Sequence, residues 1–172
     1  MRAVVVYESL WGNTAAVGAA IAAGLGEGAR VLSTAQATAA EIADADLIVA
    51  GGPVFAFRLS AESTREGIRQ QPGPGAPPPD LSHPALRTWL DALPAGTAWF
   101  AAFDTQIRGP FGQGAPTIAK ALAAKGYRQA AEPQGFVVEG KYGPLLPGEL
   151  ERAQRWGRQL GRVVAQGTGG NG

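Results

Sequence analysis

Short apolar runs rich in β-branched residues alternate along this chain with stretches whose apolar positions recur at helical spacing. Ala3–Tyr7 is the first run, apolar throughout, as expected of a strand covered on both faces. Thr14–Leu25 follows without a charge. Val17, Ile21 and Leu25 share one stripe and alanines fill the rest, which predicts a helix able to approach a sheet closely, ended by Gly24, Gly26 and Gly28. Ala29–Ser33 predicts a second strand. Thr38–Ala43 predicts one or two helical turns, with Thr38 as N-cap and Glu41 at the capping-box position. Leu47–Ala50 predicts a third strand, stopped by Gly51-Gly52-Pro53. Ser60–Arg69 predicts a helix capped by Ser60.

Gln70–Pro84 interrupts the pattern, because its prolines and glycines fit neither a ladder nor a helix. Beyond it, Ala85–Leu93 predicts a short helix with Trp89 inward, and Thr97–Phe103 a fourth strand. Pro116–Lys125 predicts a helix with its proline in the first turn. Gln129–Ala131 and Gly135–Val138 predict a fifth strand broken near Pro133. Gly148–Ala165 predicts a last helix, on which Glu149, Glu151, Arg152, Arg155 and Arg158 form a solvated face. Five strands alternating with helices imply an α/β fold, a doubly wound five-stranded parallel sheet with strand order 2-1-3-4-5. We expect one domain over residues 1–165, with a Pro/Gly-rich insertion near 70–84 and a flexible tail at 166–172.

Composition removes several chemistries. The chain has 172 residues, no cysteine and one histidine. A disulfide framework, a thiolate metal site, a cysteine nucleophile and a Ser–His–Asp triad are therefore set aside, and no metal is expected. His83, between Ser82 and Pro84, reads as an exposed spacer. The formal net charge of +1 gives no electrostatic reason to expect nucleic acid or an anionic membrane. No leader or membrane-spanning run is visible, so a cytoplasmic protein, monomeric or homodimeric, is expected.

In a doubly wound sheet, ligands bind beyond the carboxyl ends of the strands near the switch point. Three loops fall there. The first, Ser9-Leu10-Trp11-Gly12-Asn13-Thr14, joins the first strand to the first helix. Gly12 lets the backbone approach a ligand closely, and successive amides at a helix start favour an anion. Ser9, Asn13 and Thr14 add side-chain donors. The loop holds no Lys or Arg, and a neutral cradle suits one terminal phosphate better than a triphosphate. The Walker and dinucleotide fingerprints are both missing from this turn.

Tyr7, Ser9, Gly12, Asn13 and Thr14 in Y-E-S-L-W-G-N-T, and the later Ala45–Pro53 run, resemble the flavodoxin-like family of FMN-binding proteins. The resemblance covers nearly the whole chain in element order and implies the flavodoxin-like fold, with FMN as cofactor and its phosphate in the first loop. Trp11 stands where flavodoxins proper usually carry a hydroxyl, which suggests a side branch.

The other two loops are where the flavin ring is expected. Pro53-Val54-Phe55-Ala56-Phe57 offers an apolar, aromatic wall for an isoalloxazine. Asp104, Thr105, Arg108 and Gly109 lie in the third loop. By the resemblance, that loop meets the other side of the ring and its pyrimidine end, where Asp104 and Thr105 can hydrogen-bond ring or ribityl groups.

The neutral charge balance departs from the acidic, low-potential carriers of the resembled family. Arg58 and Arg108, with Arg65 nearby, place cations near the expected ring. One positive charge about 5 Å from the reduced ring is worth roughly 3 kcal/mol at an effective dielectric of about 20, and about 2.3 kcal/mol corresponds to 100 mV per electron. The expectation is a two-electron reductase or a higher-potential carrier. Its partners would be NAD(P)H and a small acceptor such as a quinone, or a redox partner protein. The alternative is a binding module of the same fold that has lost FMN or takes another phosphorylated ligand.

Overall fold

The structure is a computed structural model that describes residues 1–55, 58–110 and 112–169. Its centre is β1 (Ala3–Tyr7), paired in parallel with β2 (Ala29–Ser33) on one side and with β3 (Leu47–Phe55) on the other. β3 pairs with β5 (Trp99–Ile107). β6 (Arg128–Gln129) and then β7 (Gln134–Val138) occupy the far edge along β5. The order β2-β1-β3-β5-β6 is the expected 2-1-3-4-5. β4 (Arg58–Leu59) folds back antiparallel on the end of β3.

Alternation along each strand divides the core into two layers. Ala3 and Val5 face α1 (Asn13–Leu25) and α6 (Glu149–Gly169), among Val17, Ile21, Phe103, Phe136, Trp156 and Leu160. Val4 and Val6 face α4 (Leu86–Ala92) and α5 (Ala115–Ala124), among Phe100, Leu86, Trp89, Ile118 and Leu122. Trp89 is a core residue, as expected, and its indole N–H donates to the Ala37 carbonyl at 2.7 Å.

α1 and α6 meet backbone to backbone. A Cβ on Gly24 would lie 2.0 Å from the Gln154 carbonyl oxygen, and one on Gly157 would lie 2.2 Å from that of Ile21. Gly24 is therefore a contact residue inside α1 rather than part of its stop, and Gly26 ends the helix at φ 89°. α6 continues to Gly169, past the expected end at 165. Glu149 and Arg152 are not simply solvated. Glu149 accepts the Val137 N–H at 2.6 Å, and the Arg152 guanidinium lies over the Phe136 ring at 4.3 Å. Hydrogen bonding from Arg152 holds the Glu149 carboxyl below its ordinary range.

The other differences arise where tertiary pairing overrides local signals. Gly51-Gly52-Pro53 does not stop β3, because β5 runs beside it and pairs Gly52 with Asp104 and Pro53 with Thr105. Asp104 and Thr105 consequently lie in a strand and not in a loop. Thr38 caps α2 (Ala39–Ile42) as expected, accepting from the Glu41 amide. Ser60 does not cap α3 (Glu62–Gln70); its hydroxyl donates to buried Glu8 instead. Within the expected irregular stretch of Gln70–Pro84, residues 71–84 form no helix or strand, while Gln70 ends α3 and Ala85 stands just before α4. Among the described residues no helix is long and apolar enough to cross a membrane.

Candidate functional site

A cavity of about 400 Å³ opens at the carboxyl ends of β1, β3 and β5. Ser9, Leu10, Trp11, Asn13 and Thr14 form its first wall. Pro53, Val54 and Phe55 form a second, joined by Thr64 and Ile68 of α3. Thr105 and Ile107 of β5, with Val138 and Lys141, complete it. The lining is largely apolar with a few convergent polar groups, the usual make-up of a small-molecule site.

The first wall is built as a helix entrance. Gly12 is the residue before α1 and has φ 91°, a conformation that a side chain would strain. The first amides of a helix have no intrahelical partner, and here no side chain caps them, so they point out of the helix end. The local donors are already oriented. Ser9 Oγ accepts the Gly12 N–H at 3.1 Å, and Asn13 Nδ2 donates to the Tyr142 carbonyl at 3.2 Å. The buried hydroxyls of Thr14 and Thr105 bond each other at 2.8 Å. Such an end can take an anionic group, with a flat apolar body lying along Trp11, Val54 and Phe55.

The Pro/Gly-rich segment folds back onto this loop. Trp11 Nε1 donates to the Pro77 carbonyl at 3.1 Å, and the Asp80 N–H donates to the Leu10 carbonyl at 2.8 Å. The Ser9 N–H donates to Nε2 of His83 at 3.1 Å. His83 is thus no exposed spacer; it is 4% exposed and meets Tyr7 edge-on. Burial lowers its pKa, against the Asp80 carboxylate, which raises it.

Beneath the loop lies a buried ion pair. Glu8 is fully buried, and Arg65 Nη1 reaches its Oε1 at 2.8 Å. Glu8 also accepts from Ser60 and, at 2.8 Å, from the Leu86 N–H, while Arg65 donates to the His83 carbonyl. Arg65 therefore neutralises a carboxylate and is not a free cation beside the cavity.

Several expected site residues stand elsewhere. Asp104 does not line the cavity. Its Oδ2 accepts the Gly114 and Ala115 N–H groups, both at 2.8 Å, at the start of α5. Burial raises its pKa, and those two bonds oppose the shift. Arg58, Arg108 and Gly109 are exposed and outside the lining. Gly12 shapes the loop without contributing to this cavity wall. Ala56 and Phe57 lie outside the described residues.

The sequence reading missed Thr64, Ile68, Ile107, Val138 and Lys141. Lys141 corrects the notion of a wholly neutral site: the first loop carries no cation, but the segment after β7 brings one to it. The placement rule for doubly wound sheets was signal enough, since that segment leaves the same sheet edge as the other three loops.

Fold and cavity define an open, doubly wound α/β protein whose candidate ligand site lies at the switch point. No protein-family model matches the chain, and no curated protein matches it in sequence. Solved structures do match. A flavodoxin from the domain Archaea superposes with a TM-score of 0.68 at 20% identity, over 96% of this chain and 99% of that one. Oxidised flavodoxin 2 from Bacillus cereus gives 0.65 at 12% identity, over 94% and 99%. A flavodoxin, WrbA-like protein from Agrobacterium tumefaciens gives 0.61 at 17% identity, over 96% and 98%. The chain has the flavodoxin-like fold, and the resemblance read in its sequence is supported by its structural neighbours.

Proposed function

We propose that this chain is an FMN-binding flavoprotein that transfers electrons as an oxidoreductase or carrier. The observation that supports the reading is the cavity itself, with an uncapped helix entrance at one end and an apolar, aromatic wall along the rest. FMN has that shape and polarity, a flat tricycle joined by a hydroxylated chain to a phosphate. Asn13 and Thr14 would hold the phosphate, on a turn that Gly12 makes possible. Trp11, Val54 and Phe55 offer the ring its apolar surface, and Thr105 a hydroxyl for the chain between. Bound flavin would supply reversible uptake of one or two electrons. The likeness to flavodoxins points the same way.

The electrons would come from NAD(P)H and go to a small acceptor such as a quinone, or pass between this chain and a redox partner protein. The case for a raised potential no longer includes Arg65, which is neutralised by Glu8. Exposed Arg58 and Arg108 contribute less through water, and Lys141 becomes the cation at the cavity.

Titration of the purified protein with FMN, followed by flavin fluorescence, is expected to show saturable one-to-one quenching. NAD(P)H oxidation by the loaded protein with a simple quinone then separates reductase from carrier. A protein that leaves FMN fluorescence unchanged retains only the architecture of a flavodoxin.

A further inference from the structure

We infer that Lys141 is the cation that makes this site select a phosphorylated flavin over an unphosphorylated one, an inference that rests on the FMN reading above. The first loop offers little charge of its own. Its Ser9 hydroxyl accepts from Gly12, its Asn13 amide is bonded to the Tyr142 carbonyl, and its Thr14 hydroxyl is paired with Thr105. A phosphate monoester carries close to two negative charges at neutral pH. Backbone amides and half a charge of helix dipole leave most of that uncompensated.

Lys141 is placed to make up the difference. It lines the same cavity as Trp11 and Asn13. Its Nζ lies 5.7 Å from the Trp11 ring centroid and 5.5 Å from that of Tyr142, and those two rings meet edge-on at 4.8 Å. Two aromatic faces restrict a side chain that would otherwise sweep through solvent. The Asn13–Tyr142 bond ties the lysine's segment to the first residue of α1, so ammonium and helix entrance share one frame. Among the described residues no carboxylate lies within ion-pair distance of Lys141, although Glu139 is only two residues away. The charge is therefore available to a ligand. Trp11 has a matching role: it brings no hydroxyl to the loop, but its ring is a platform for the lysine and its N–H anchors residue 77.

The test compares FMN with riboflavin, which share the ring and differ in the phosphate. Wild type is expected to bind FMN more tightly than riboflavin, with a preference that shrinks as KCl rises. Lys141→Gln should weaken FMN about tenfold, the size of one charge-assisted hydrogen bond, and leave riboflavin within about twofold. Lys141→Arg should restore most of the FMN affinity. An unchanged thermal midpoint would show that the exposed substitution leaves the fold intact. Equal weakening of both flavins, or no weakening of FMN, overturns the role of Lys141 while FMN binding by wild type still stands. Wild type that takes up neither flavin overturns the flavin reading and this inference with it.

Discussion

His83 Nε2 accepts the backbone N–H of Ser9 at 3.1 Å, so a side chain from the Pro/Gly-rich segment completes the first loop of the candidate site. The bond requires an unprotonated Nε2. Protonation would set one N–H against another, and burial already holds the pKa below its usual value. The unfolded chain takes up that proton near pH 6.5. Between the folded pKa and about 6.5 the unfolded state therefore binds more protons, and stability rises with pH. This contribution is complete above about pH 6.5 and is lost as pH falls below it. Urea unfolding from pH 5 to 8 should show that slope, and His83→Gln, whose side-chain carbonyl reaches about as far as Nε2 but does not titrate, should flatten it.

Glu8 and Arg65 make a second prediction. Arg65→Met would leave a fully buried carboxylate with only the Ser60 hydroxyl and the Leu86 amide. Breaking a buried pair from one side costs about 3–5 kcal/mol. Arg65→Lys should recover only part of this, because one ammonium cannot copy a guanidinium that reaches both Glu8 and the His83 carbonyl. Denaturant midpoints of the two variants would measure the difference. Equal, small losses would mean that Glu8 finds other partners.

The Glu8–Arg65–His83 cluster also marks the limit of what could be read from the chain alone. The order was legible because β1, β2, β3 and β5 each carry apolar residues and helical segments separate them, whereas β6 is only Arg128–Gln129 and has no apolar run of its own. The first loop was legible too, because Ser9, Gly12, Asn13 and Thr14 are neighbours and their joint chemistry is local. His83 and Ser9 are 74 residues apart, and Arg65 and Glu8 are 57 apart. A histidine between Ser and Pro in a proline-rich stretch gives no sign that it folds under a distant loop. The lengths of β3 and β5 were hidden for a similar reason. Gly51-Gly52-Pro53 breaks a strand locally, but a neighbour that runs on to Ile107 supplies partners for Gly52 and Pro53.

Where α1 crosses α6, the fit has no room for a methyl group. Gly157→Ala would set its Cβ against the Ile21 carbonyl at a separation that real structures do not tolerate. The helices must part, at a cost of about 1–3 kcal/mol. Gly161→Ala is the control, because its nearest atoms lie at 3.8 Å and 3.9 Å. There the gain in helix propensity, up to about 1 kcal/mol, should leave the protein as stable as wild type or more so. A lowered urea midpoint for Gly157→Ala alone, with an unchanged m-value, would place the close approach at Gly157. Equal behaviour of the two variants would remove it.

The Thr14–Thr105 hydroxyl pair links the first loop to β5 across the cavity. Each hydroxyl has one hydrogen, so in the pair one residue donates to the other and the acceptor's own hydrogen remains for a ligand. Thr14→Val removes the hydroxyl nearer the helix entrance and leaves that of Thr105 buried without its partner. Under the proposed function, FMN affinity should fall by about 1–3 kcal/mol. Thr105→Val should cost a similar amount if the two hydroxyls act on the flavin as a unit. The double variant should then lose clearly less than the sum of the single losses, because each single change already disables the pair. Additive losses would mean that the hydroxyls contact the ligand independently. An unchanged Kd for Thr14→Val, measured by the same fluorescence titration, would take Thr14 out of the site and leave the amides of α1 as the remaining phosphate donors there.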